Sequence, residues 1–92
     1  MNRNAILAAR AQRDAERYQR GYPANGDAEF ARTIRRDVSA IRAVADLIQA
    51  GRLDEAYRRA ARLDTVVRDA FSKSVWNAMS KGAAFGHRED GV

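Results

Sequence analysis

The 92-residue sequence predicts an all-α protein: a long antiparallel helical hairpin preceded by an N-terminal amphipathic helix, a three-helix arrangement with room for a dimer. Two observations carry that prediction. Apolar residues recur every three or four positions over most of the chain, which is the helical period. Strong turn signals gather at only two places, Gly21 to Gly26 and Gly51, so the helices between them must be long.

Helix 1 is expected from about residue 4 to 20. Leu7, Ala11, Tyr18 and Tyr22 share one face, while Arg10, Arg13, Arg17 and Arg20, spaced three, four and three apart, line the other. The helix stops at Gly21, and Tyr22-Pro23-Ala24-Asn25-Gly26 forms the linker. Helix 2 is expected over 27–50. Asp27 is a good N-cap, and Glu29 complements the helix dipole. Ala31, Ile34, Val38, Ile41, Ala45 and Ile48 make a coiled-coil-like seam. Opposite it, Ala40, Ala43 and Leu47 form a thin stripe. That stripe either receives helix 1 or makes a dimer contact that leaves helix 1 as an arm.

Gly51 ends helix 2 as the residue after the C-cap. Helix 3 is expected over 54–81, opened by Asp54 and Glu55, with Leu53, Ala56, Ala60, Leu63, Val67, Ala70, Phe71, Ser74 and Ala78 as its apolar set. Two long helices with matching seams and a short glycine turn should close as an antiparallel hairpin. Residues 1–82 then make one helical domain. From Gly82 onward three glycines, mixed charge and little to bury predict a flexible tail over 83–92.

The turn Gly51-Arg52-Leu53-Asp54-Glu55-Ala56, followed by Ala60 and Leu63-Asp64, resembles the helix-turn-helix joint of a tetratricopeptide repeat over about 15 residues. No second copy follows at the 34-residue period of that family, so the resemblance is one of hairpin chemistry and brings no function with it.

Composition narrows the function classes. Without cysteine the chain has no disulfide, thiolate metal site or thiol nucleophile, and a cytoplasmic location is the default expectation. No apolar run approaches the roughly 18 residues of a membrane span. The Arg-rich start resembles a mitochondrial presequence, but Asp14 and Glu16 oppose that reading. The net charge of +5 is uneven: residues 1–20 carry +3, 21–50 balance, 51–82 carry +3 and 83–92 carry −1. Fifteen of the 17 basic residues are arginine, which favours bidentate pairing with carboxylates or phosphates. Nineteen alanines beside them fit GC-rich coding equally well.

Candidate binding residues follow from the wheel. The helix 1 stripe is Arg10, Arg13, Arg17 and Arg20; Arg32, Arg35 and Arg36 flank helix 2, and Arg68 and Lys73 adjoin its basic start across an antiparallel hairpin. Interspersed Asp37, Asp64 and Asp69 would pair with part of this charge. Trp76 falls roughly 150° from the helix 3 seam. Coverage of Trp76 as ordinary core, by helix 1 or a second subunit, is the default; an exposed anchor for a foreign partner is the alternative.

Catalysis finds no support. His87 is the only histidine and lies in the tail, no carboxylate pair is fixed, and phosphate-loop, HExxH and GxSxG motifs are missing. No catalytic residue, cofactor or metal is expected, and the helices are too long for a DNA-reading helix-turn-helix. The leading expectation is a non-enzymatic helical interaction protein that docks its arginines on an acidic protein surface or larger complex. Adaptors, and inhibitors encoded by phages or mobile elements, are proteins of this type. The alternatives are non-specific RNA or DNA binding through the helix 1 stripe, and a small phosphorylated ligand held at a subunit interface.

Overall fold

The computed structural model describes residues 2–23 and 26–90, with side-chain surroundings through 83. It is all-helical among these residues: α1 (Arg3–Arg20), α2 (Ala28–Gln49), α3 (Leu53–Ala61), α4 (Thr65–Arg68) and α5 (Lys73–Asp90). Ala24, Asn25, the His87 side chain and Gly91–Val92, which entered the linker and tail readings, lie outside the described residues.

α1 and α2 form as their periodicity requires. The Asn2 side chain caps α1 by accepting from the Ala5 N–H at 2.7 Å, and Asp27 caps α2 by accepting from Glu29 and Phe30. Leu7, Ala11 and Tyr18 are buried, as are Ile34, Val38, Ile41, Ala45 and Ile48; Ala31 is half-buried. Gly51 closes α2 with φ of 80°, a left-handed conformation that glycine adopts without steric cost. The Arg52 N–H donates to the Leu47 carbonyl and the Gly51 N–H to Ile48, the two hydrogen bonds of a Schellman turn.

The expected helix 3 does not run as one rod. It breaks after Ala61 and again after Arg68, and α5 folds back along α3. Gly82 lies against Leu53 and Trp76 against Tyr57, so the two helices are antiparallel. The cause is local. Thr65, Val66 and Val67 form only the single short helix α4, and the chain turns on either side of it. Asp64, Asp69 and Ser72 have short polar side chains that favour turns and caps over helix interiors. The break also shifts the phase of the seam: Val75 and Met79 are fully buried, whereas Ser74 is exposed and Ala78 half-buried.

Helix 1 is docked, one of the two placements left open for it, and a fourth long helix joins the arrangement: α1 meets α2, α2 meets α3, α3 meets α5 and α5 meets α1. This closes a four-cornered, up-down-up-down bundle around the buried core. The Gly51 turn still joins α2 to α3 as an antiparallel pair, but the longest partner of α2 is α1. α5 continues to Asp90, past residue 82 where the domain was expected to end.

Candidate functional site

The buried side of α1 carries one charge the periodicity concealed. Asp14 follows Leu7 and Ala11 and precedes Tyr18 at seam spacing, and it is 3% exposed. One carboxylate oxygen accepts from the Ser72 N–H at 3.0 Å, and the other accepts from Arg17 at 2.7 Å. The same guanidinium donates to the Ala70 carbonyl at 2.9 Å. Arg17 is therefore a clasp between α1 and the α4–α5 turn while its side chain stays largely exposed. Seam spacing was the signal that could have found this site.

Tyr18 lies one turn further along. Its hydroxyl donates to Asp37 of α2 at 2.8 Å. Burial first, then the hydrogen bond and the negative charge of Asp37, push the Tyr18 phenol well above its ordinary value. Asp14 and Asp37 thus each join α1 to another part of the fold. Among the described residues no group of three or more His, Asp or Glu side chains could hold a metal ion.

Trp76 is covered by its own chain. Its ring meets Phe71 edge-on at 5.6 Å and Tyr57 at 6.0 Å, and its indole N–H donates to the Arg68 carbonyl at 3.0 Å. The cover that leaves Trp76 half-buried comes from α3 and the α4–α5 turn, not from helix 1 as expected. Arg68 is also turned inward, donating to the Ala61 carbonyl at 3.3 Å. Three of the ten candidates, Arg17, Arg68 and Trp76, make hydrogen bonds within the bundle, with the Arg17 side chain still 58% exposed and Arg68 and Trp76 half-buried.

The other seven, Arg10, Arg13, Arg20, Arg32, Arg35, Arg36 and Lys73, are exposed. None is in an ion pair among the described residues, where Arg17–Asp14, Arg52–Glu55 and Arg58–Asp54 are the pairs that form. Arg20 and Arg35 come together across the α1–α2 junction. They flank a groove of about 490 Å³ whose wall includes Tyr22, Pro23, Phe30, Ala31 and Ile34, with Glu16 and Gln19 at its edge. Tyr22, 37% exposed, stacks obliquely between Tyr18 at 4.9 Å and Phe30 at 6.1 Å. Arg10 goes elsewhere, into a second groove between α1 and α5. Arg13, Arg32, Arg36 and Lys73 stand on the open surface.

In comparisons with known proteins, no family model matches this chain, and no curated protein or solved structure does so either. No helix among the described residues is long and apolar enough to cross a membrane.

Proposed function

We propose that this protein is a non-enzymatic interaction module that docks on an acidic protein surface, as an adaptor or an inhibitor of a larger complex does. What supports this reading is the groove at the α1–α2 junction, where Arg20 and Arg35 flank exposed Tyr22 and the apolar wall of Phe30, Ala31 and Ile34. Tyrosine and arginine side by side around an apolar pocket is the composition of an interface hot spot. A nucleic acid backbone makes no comparable use of an aliphatic wall, so the mixture favours a protein partner that presents an apolar side chain beside carboxylates. The arginines outside the groove steer that partner by their long-range field.

Affinity capture from nuclease-treated lysate, comparing the wild-type chain with Arg20→Glu/Arg35→Glu, tests the reading. The reversed residues are exposed, so the fold should survive, and circular dichroism checks that it does. Proteins retained by the wild type and lost with the variant support docking at this groove. Capture that disappears with nuclease, or that ignores the reversal, refutes it.

A further inference from the structure

We propose that the second groove, between α1 and α5, binds the phosphate groups of an oligophosphate anion through Arg3, Arg10 and Lys81. The inference does not rest on the docking role above. The groove has a volume of about 320 Å³ and is lined by Arg3, Ile6, Leu7, Arg10, Ser74, Asn77, Ala78 and Lys81. Three cations from two helices line it, and among the described residues no acidic side chain does.

Charge arithmetic selects the ligand class. Like charges along one groove repel each other, and no described carboxylate in its walls offsets them. A lone carboxylate would neutralise one of the three. An oligophosphate brings several charges on adjacent groups, and guanidinium forks match phosphate oxygens in two-point contacts. The Ser74 hydroxyl and the Asn77 amide add uncharged donors on the α5 side.

The placement also favours an extended anion over a single phosphate. Arg3 and Arg10 are seven residues apart on α1, two helical turns or about 10 Å along the axis. Because α1 and α5 run antiparallel, Lys81 falls toward the Arg3 end and Ser74 toward Arg10. The cations therefore mark both ends of a short track along the groove. Neither Arg3 nor Lys81 figures in the arginine stripe, since each becomes part of the groove only when α5 folds back and returns to the start of α1.

Pyrophosphate titrated into the full chain, followed by amide chemical shifts, is the direct test. Saturable shifts confined to residues 3–10 and 74–81 are expected. Arg3→Gln/Arg10→Gln/Lys81→Gln should weaken binding at least about tenfold. The control Arg32→Gln/Arg36→Gln, on the open face of α2, should leave it unchanged. A nucleoside diphosphate should bind within a few-fold of pyrophosphate, because the groove contacts only the phosphates. Four results would overturn the proposal: no saturation, shifts spread evenly over all exposed arginines, binding that survives the triple substitution, or a response to the nucleotide with pyrophosphate silent.

Discussion

Replacing Asp14 with alanine removes the acceptor on which α1 and the α4–α5 turn converge. The Ser72 N–H then loses its partner, at a cost of about 1–3 kcal/mol for a group left unsatisfied. Truncating this buried side chain also leaves its space unfilled, which adds about 1 kcal/mol. Arg17 contributes little to the total, because it is 58% exposed and regains water. The expected destabilisation of Asp14→Ala is therefore about 3 kcal/mol. For a domain of this size that lowers the thermal midpoint by roughly 15 °C. Arg17→Ala removes the clasp but leaves the carboxylate on the Ser72 N–H, so it should cost no more than about 1 kcal/mol. Asp14→Asn keeps an acceptor oxygen and should fall between the two. Thermal and urea unfolding followed at 222 nm measures all three variants. A midpoint shift below about 3 °C for Asp14→Ala, or a loss for Arg17→Ala that equals it, would refute the assignment of Asp14 as the tie between first and last helices.

Other expectations follow from the same contacts. Gly82→Ala should destabilise by about 1–3 kcal/mol despite alanine's higher helix propensity. The added Cβ would sit 2.5 Å from the Leu53 Cβ, and a stabilised variant in urea melts would show that α3 and α5 are further apart. Trp76→Ala should lose about 2–4 kcal/mol, because it opens a gap against Phe71 and Tyr57; unchanged stability would make Trp76 a surface anchor after all. Tyr18 binds its proton more tightly folded than unfolded, so its contribution is intact below the ordinary tyrosine value near pH 10 and is lost as pH rises above it. Alkaline denaturation should therefore be shallower for Tyr18→Phe, and identical pH profiles would show that burial does not hold that proton.

How much was legible depended on whether one helix face told the whole story. α1 and α2 were, to within a residue or two, because Asn2, Asp27 and Gly51 mark ends that the hydrophobic period fills between. The region after Ala61 was not. Leu63, Val67, Ala70 and Phe71 keep helical spacing across two breaks, so the seam gave no warning that the chain turns. The warning lay in Asp64, Asp69 and Ser72, whose preferences are local and were outweighed by the apparent repeat. The same blindness affected the candidate site. A wheel distributes arginines by angle alone. It therefore treated Arg10, Arg13, Arg17 and Arg20 as equivalent, although tertiary contacts tie Arg17 to the Ala70 carbonyl and send Arg20 to one groove and Arg10 to another. Trp76 looked exposed because its angle was counted from a helix phase that the break resets.

The hydrogen bond from Ser72 to Asp14 spans 58 positions in the chain. Contacts of that separation form late, because the loop they close costs entropy before it brings any reward. While the protein is being synthesised, α1 and α2 can pair with a carboxylate still solvated on their inner face. Only when the segment around Ser72 has emerged does that charge find its donor, and the dehydration of the core's last side is tied to that moment. Folding of this all-helical chain should therefore be slower than its helix content implies, with the arrival of the fifth helix as the gating event.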